Sequence, residues 1–372
     1  MTVEAARLSI SSLTLSYFRS HGRSEIVTDG ASVAIFGPNG AGKTNILEAI
    51  SLLSPGRGLR RAKTEEIARQ PDRIGWKVTG LVQAGTREIR VETSFTGDGP
   101  RKVNLDGEDA NQLALAETLR MAWLVPSMDR LWIEGAEGRR RFLDRIALNF
   151  FPSHGALSLA YEKSMRERNR MLKDGVRDPA WYGAVEAQMA RAGAEVERHR
   201  QTTLVYLEEA QAAVETAFPT ADLTLSSSDN DVPVTDEGAL RAAYEKGRAQ
   251  DMAAGRSLVG PHRTDLLASY KSKSMPAKDC STGEQKALLI SLVLASGRAI
   301  AEQYGAPPIL LLDEVAAHLD QSRRAALYQE LASLGCQAWM TGTGAELFED
   351  VAPSTLMLEV VEQDGDSAVI RH

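Results

Sequence analysis

Apolar residues fall into distinct patterns along this chain. Alternation in Leu8-Ser9-Ile10-Ser11-Ser12-Leu13 predicts a half-buried strand at a sheet edge, whereas Ser32-Val33-Ala34-Ile35-Phe36 is nearly unbroken and predicts a buried one. Ile46, Leu47, Ala49 and Ile50 then follow at helical spacing, and Ala287 to Ala301 carries the same period. Ile309 to Leu312 is apolar throughout and predicts a central parallel strand, and Ala338-Trp339-Met340 predicts another short buried strand. In the middle of the chain Leu157, Tyr161, Met165 and Leu172 form one helical stripe. Asp174-Gly175 and Asp178-Pro179 break it, and Trp181, Val185, Met189 and Val196 form a second stripe, so an antiparallel helix pair is expected. The pattern is an α/β head built from residues 1–125 and 240–372, with a helical arm or lid inserted over 126–239. The nearest approaches to linkers are the polar stretch Ser226–Asp236 and the turn Ala253–Ser257.

Composition changes this picture little. With 372 residues, 43% of them hydrophobic, the chain can bury a sizeable core plus a smaller module. A net charge of −7 does not suggest a histone-like basic protein, yet it leaves room for a local basic groove. Cys280 and Cys336 have no Cys or His neighbours at metal-ligand spacing, which points to a reducing, cytoplasmic setting. No apolar run approaches the roughly 20 residues that span a bilayer, so no membrane association is expected.

The chemistry starts where the buried strand ends. Gly37-Pro38-Asn39-Gly40-Ala41-Gly42-Lys43-Thr44 matches G-x-x-x-x-G-K-[ST] at every position, in strand–loop–helix context. A loop that wraps phosphates needs backbone N–H groups pointing inward, which glycines permit, and the following helix turns its positive end to the same anion. All eight residues are therefore ATP-binding candidates. Lys43 is placed to reach the β- and γ-phosphates, and the Thr44 hydroxyl to ligate Mg²⁺. Far downstream, Ile309 to Leu312 ends in Asp313-Glu314. Asp313 is the second metal candidate, and Glu314 the residue that orients or deprotonates the attacking water, with Lys43 beside it as a catalytic residue.

Two further segments narrow the class. Cys280-Ser281-Thr282-Gly283-Glu284-Gln285-Lys286, at the start of a helix, resembles the Leu-Ser-Gly-Gly-Gln motif of ABC-type ATPases, and Asp320 in Ala316-Ala317-His318-Leu319-Asp320 resembles their D-loop. Ser281 and the Gly283 amide at a helix N-terminus form a second anion site, although the same residues would also make an ordinary helix cap. The ABC resemblance implies that Ser281, Thr282, Gly283 and Asp320 meet the nucleotide of a partner subunit, so that the active form is a homodimer. Cys280, Thr282 and Glu284 depart from the transporter pattern, and Thr341 or Thr343 stands where most transporter ATPases have a switch histidine. An ATPase energising a membrane transporter and a P-loop phosphotransferase remain the alternative readings.

Other strings resemble the RecF family of recombinational-repair ATPases over most of the chain. They are Leu13-Thr14-Leu15-Ser16-Tyr17-Phe18-Arg19-Ser20, Gly56-Arg57-Gly58-Leu59-Arg60-Arg61-Ala62-Lys63, Val125-Pro126-Ser127-Met128-Asp129, Gly138-Arg139-Arg140-Arg141-Phe142-Leu143-Asp144 and Gly260-Pro261-His262-Arg263-Thr264-Asp265. The resemblance implies an ABC-type head with a parallel core sheet and a flanking antiparallel sheet, an arginine at Arg19 that approaches ATP, and a lid-like helical domain. It also implies an ATP- and Mg²⁺-driven dimer on double-stranded DNA near single-strand gaps, which works with RecR and RecO to place RecA and is released by slow hydrolysis. Arg57, Arg60, Arg61 and Lys63 suit contacts to the phosphate backbone. Arg166, Arg168, Arg170, Lys173 and Arg177 would make the tip of the arm basic. His262 is expected to be a hydrogen-bonding residue, because Glu314 already fills the role of base.

Overall fold

The structure, a computed structural model, describes residues 7–72, 74–227 and 232–372. The chain divides into two compact units, one of Met1–Asp129, Ala213–Pro219 and Thr282–His372, the other of Arg130–Ala212 and Thr220–Ser281.

The first unit holds two six-stranded sheets. One has the spatial order Asp366–Arg371, Leu356–Gln363, Val33–Phe36, Ala338–Thr341, Ile309–Leu312 and Met121–Leu124, and every pairing except that of the first two strands is parallel. Its strand Ile309–Leu312 is buried at all four positions, as a strand covered on both faces must be. The other sheet is antiparallel, in the order His21–Val27, Leu8–Phe18, Trp76–Ala84, Arg87–Phe95, Lys102–Leu105 and Glu108–Ala110. The Leu8–Phe18 strand is thus interior, not the edge expected from its alternation. Both of its backbone edges are paired, with His21–Val27 and with Trp76–Ala84.

Helix Lys43–Ser51 packs against strands of both sheets, and Ile46, Leu47 and Ile50 share one core cluster with Ile10, Leu13, Leu15, Val33, Ile35 and Trp339. One buried amide stitches the sheets together. Gln337 Oε1 accepts the Ile10 N–H at 2.8 Å, and its Nε2 donates to Ile10 O and Ala31 O, each at 2.9 Å. Buried polar groups are tolerable when satisfied in this way.

The second unit contains helices Ala136–Phe150, His154–Lys173, Pro179–Ala212 and Glu237–Ala254 with a three-stranded antiparallel sheet of Met275–Pro276, Asp265–Tyr270 and Ala221–Ser226. The expected helix pair is present, with its break at residues 174–178. Residues 240–281, grouped with the head on sequence, pack within this unit because Asp265–Tyr270 pairs with Ala221–Ser226 and Glu237–Ala254 lies on the long Pro179–Ala212 helix. Residues 228–231 of the expected linker Ser226–Asp236 lie outside the described residues. In the turn Ala253–Ser257, Gly255 takes the left-handed cap that ends the Glu237–Ala254 helix.

Two assignments on the helix pair are corrected. Trp181 is 67% exposed, and Tyr182 takes the inward position, with its hydroxyl donating to Val176 O at 3.1 Å. Arg168 is fully buried and does not belong to a basic tip. Its guanidinium donates to Glu186 Oε1 at 3.0 Å, Asp251 Oδ2 at 2.6 Å, Ser257 Oγ at 2.8 Å and Tyr244 O at 2.9 Å. Arg168→Met leaves the buried Asp251 without its arginine partner, whereas Glu186 keeps Arg248 at 2.6 Å. The substitution is expected to destabilise the second unit by about 3–5 kcal/mol, read as a lower urea midpoint by circular dichroism. A midpoint equal to that of the unaltered protein would mean that water replaces the guanidinium.

The arginine-rich strings prove to be staples of this unit. Arg139 grips Asp265 through two bonds of 2.7 and 2.8 Å, and Arg200 grips Asp144 through two of 2.7 and 3.0 Å while donating to Pro261 O at 2.8 Å. His262 lies 2.7 Å from the Tyr161 hydroxyl at Nδ1 and donates from Nε2 to Ser257 O at 3.0 Å. Burial pushes its pKa down to about 4, so it stays neutral at physiological pH. It is a hydrogen-bonding residue, as expected.

Candidate nucleotide site

The loop Gly37 to Thr44 joins the Val33–Phe36 strand to the Lys43–Ser51 helix at the C-terminal edge of the parallel sheet, the usual ligand edge of such sheets. Two of its glycines are required by contact as well as by backbone. Gly37 has φ +139° and a side chain there would strike the carbonyl of Val360. Gly42 has φ +109° and a side chain would strike the Ser367 hydroxyl, with Ser20 Oγ at 2.8 Å. The loop is braced from behind by residues distant in sequence. Ser367 Oγ lies 2.6 Å from both Ala41 O and Ser20 Oγ, and Asn45 Nδ2 donates to Ser20 Oγ at 2.7 Å. His21 Nε2 donates to Gly42 O at 3.1 Å. Burial lowers the His21 pKa, which fits a neutral ring whose Nδ1 accepts from Ser24 at 2.8 Å.

Lys43 reaches back across the loop, and its Nζ donates to Gly37 O at 2.7 Å and Pro38 O at 2.8 Å. Burial pushes its pKa below the ordinary lysine value, while the charges of Glu314 and Asp313 oppose that shift. Pro38, Asn39 and Gly40 are exposed along the rim, and Ala41 is buried.

The acidic strand end meets the loop. Thr44 Oγ1 donates to Asp313 Oδ1 at 2.8 Å, joining residues 269 positions apart. Asp313 is buried. Its backbone N–H is held by Leu124 O at 2.9 Å on the neighbouring strand. Glu314 follows with φ +52°, a left-handed conformation that turns the chain off the strand, and its N–H donates to Thr341 Oγ1 at 2.9 Å. A hydroxyl and a carboxylate converging beside a phosphate loop form a hard-oxygen donor set, which fits Mg²⁺. Among the described residues no cluster of three or more His, Cys, Asp or Glu could hold a metal by itself, so such an ion would need phosphate oxygens and water to complete its shell.

The remaining candidates lie on distinct elements. Arg19, at φ +54°, is engaged by Glu48 through bonds of 2.9 and 2.7 Å. Arg60 also reaches Glu48, at 3.2 Å, and donates to Asn45 Oδ1 at 2.7 Å. Arg57, Arg60, Arg61 and Lys63 are exposed on their loop, while Leu59 is buried beneath it and Arg101 donates to Gly56 O at 2.6 Å. Ser281, Thr282 and Gly283 are exposed at the start of helix Thr282–Tyr304, and a side chain at Gly283 would meet open space. Asp320 caps helix Gln321–Leu334 by accepting the Arg323 N–H at 2.9 Å. That bond and one from Ser322 hold its carboxyl below the usual range. Thr343 is exposed, whereas Thr341 is buried against Asp313.

The RecF/RecN/SMC N terminal domain family matches residues 9–366. The DNA replication and repair protein RecF of Mesorhizobium japonicum is 46% identical over 369 residues, which is 95% of this chain and 97% of that protein. RecF of Brucella suis biovar 1 is 46% identical over 358 residues, 93% of each chain. The chain belongs to the RecF family. Solved structures agree in fold: RecF-ATP in the RecFOR pathway superposes with TM-score 0.86 at 22% identity, covering 100% of both chains. The Smc head domain of Pyrococcus furiosus superposes with TM-score 0.55 at 16% identity, covering 98% of this chain and 96% of the other.

Within this RecF-family chain the sequence strings ended on Ser20 without giving it a role, and they missed His21, Glu48 and Ser367. No local pattern marks Ser20, His21 or Ser367. A buried glutamate in the phosphate-loop helix was the one available signal, since Glu48 stands among Ile46, Leu47, Ala49 and Ile50 and is itself fully buried.

Proposed function

We propose that this chain is an ATP-dependent recombination mediator of DNA repair that binds ATP and Mg²⁺, hydrolyses ATP slowly, and acts as a homodimer clamped on duplex DNA beside single-strand gaps. RecR and RecO are its partners in placing RecA. The observation that carries the reading is the convergence of Lys43, Thr44, Asp313 and Glu314 at one strand edge, in a chain whose relatives are DNA replication and repair proteins.

Lys43 leaves Gly37 O and Pro38 O to hold the β- and γ-phosphates, and the loop amides wrap the same oxygens. Thr44 and Asp313 would hold Mg²⁺, which when bound would supply positive charge against the phosphate oxygens. Glu314 aligns a water in line with the γ-phosphate and accepts its proton. Arg19 turns from Glu48 toward the nucleotide, and Ser281, Thr282, Gly283 and Asp320 reach the ATP of the partner subunit. Arg57, Arg60, Arg61 and Lys63 meet the phosphate backbone of DNA, a contact that weakens as salt rises.

Sedimentation of the wild-type protein and Lys43→Met, with and without ATP and gapped DNA, tests the whole. The wild type is expected to shift from monomer to dimer only with ATP, and Lys43→Met to remain monomeric throughout. A wild type that stays monomeric under every condition overturns the reading.

A further inference from the structure

Thr341 closes the Ala338–Thr341 strand and is 1% exposed. Its hydroxyl lies 2.7 Å from Asp313 Oδ1 and 2.9 Å from the Glu314 backbone nitrogen. A hydroxyl has one proton to give and lone pairs to receive. A carboxylate oxygen only accepts, and an amide N–H only donates, so the directions are fixed. Thr341 donates to Asp313 and accepts from Glu314. With that proton spent, the hydroxyl has none left for a phosphate oxygen while Asp313 stays in place.

Glu314 sits at φ +52°, a backbone region that side-chain-bearing residues seldom occupy and keep only when their surroundings hold them there. The held N–H is the visible restraint. On the other side, Asp313 Oδ1 receives two hydroxyls, Thr341 at 2.7 Å and Thr44 at 2.8 Å, which together fix the carboxylate plane. One side chain thereby orients the metal candidate and the base candidate at once.

We propose that Thr341 is the positioning residue of the hydrolytic site, anchoring Glu314 in its left-handed conformation and Asp313 in its plane without touching the nucleotide. The inference rests on the ATPase reading above for its effect on rate, and on the hydroxyl geometry alone for its effect on the backbone.

Thr341→Val keeps the shape and the β-branch and removes the hydroxyl, and Thr341→Ser restores it. Three measurements separate the roles. First, deuterium exchange of the peptide spanning residues 310–318, without nucleotide, is expected to speed up by about tenfold in Thr341→Val and to return toward wild type in Thr341→Ser. Second, kcat is expected to fall by about 10- to 100-fold in Thr341→Val, and Thr341→Ser to recover most of it. Third, the Kd for ATP is expected to stay within about twofold in both variants, since uniform binding is untouched. Unchanged exchange in Thr341→Val overturns the anchoring, whether or not the protein hydrolyses ATP. Faster exchange with unchanged kcat overturns the positioning role. A rise in Kd as large as the fall in rate places Thr341 on the nucleotide and also overturns it. A wild type that exchanges as expected but hydrolyses no ATP overturns the positioning role together with the ATPase reading, and leaves the anchoring in place.

Discussion

Glu314→Gln is expected to lower the steady-state ATPase rate by about two to four orders of magnitude, the usual contribution of a positioned general base. ATP affinity is expected to stay within about twofold, because an amide of the same shape still fills the place and the phosphates are held by other groups. The geometry gives the reason for so large a split. Glu314 follows the buried Asp313 at the end of an all-apolar strand, and its left-handed φ of +52° diverts the chain just past the point where Asp313 meets Thr44. Phosphate release measured beside equilibrium binding of a fluorescent ATP analogue checks both halves. A loss of less than about tenfold would assign the water to another group. If hydrolysis releases the proposed dimer, the same variant is expected to accumulate the ATP-bound dimer.

What could be read from the sequence was what is local. The phosphate loop, the apolar strand before Asp313-Glu314 and the helix pair each lie in one continuous stretch, so spacing alone marks them. Helical periodicity says that a face is buried without saying which of two neighbours points inward, and Trp181 lost that place to Tyr182. A charged residue inside an amphipathic stripe reads as solvated, and Arg168 is not. Its partners Glu186 and Asp251 lie 18 and 83 residues away, and only the folded chain brings them together. Alternation in Leu8 to Leu13 marked a strand whose Leu8, Ile10 and Leu13 are buried, but Ser9 is buried as well, and the number of neighbours a strand has is a property of the sheet. The same limit hid the brace behind the phosphate loop, where Ser367 meets Ala41 across 326 residues. The unit boundary near residue 281 was equally invisible, since strand pairing of Asp265–Tyr270 with Ala221–Ser226 decides it.

Mixing two inactive variants is expected to restore activity. If each ATP site takes Lys43 from one chain and Ser281 from its partner, Lys43→Met destroys the loop half of a site and Ser281→Arg destroys the other half. Each variant alone then has no working site, and Lys43→Met alone stays monomeric. In a mixed dimer the defects fall together on one site, and the second site pairs an intact loop with an intact Ser281. A mixed dimer has one of its two sites intact, so about half of wild-type activity is the ceiling. Ser281→Arg alone is expected to bind ATP nearly as well as the wild type, because Ser281 stands exposed before helix Thr282–Tyr304 and makes no part of the loop at Gly37 to Thr44. The open space beside Gly283 is what such an approach by a partner requires. Two outcomes bear on the shared site directly. Substantial activity from Ser281→Arg by itself would mean that one chain hydrolyses ATP unaided. Dead variants that stay dead on mixing, while sedimentation confirms that mixed dimers form, would mean that Lys43 and Ser281 serve the same site within one chain or that both sites must work together.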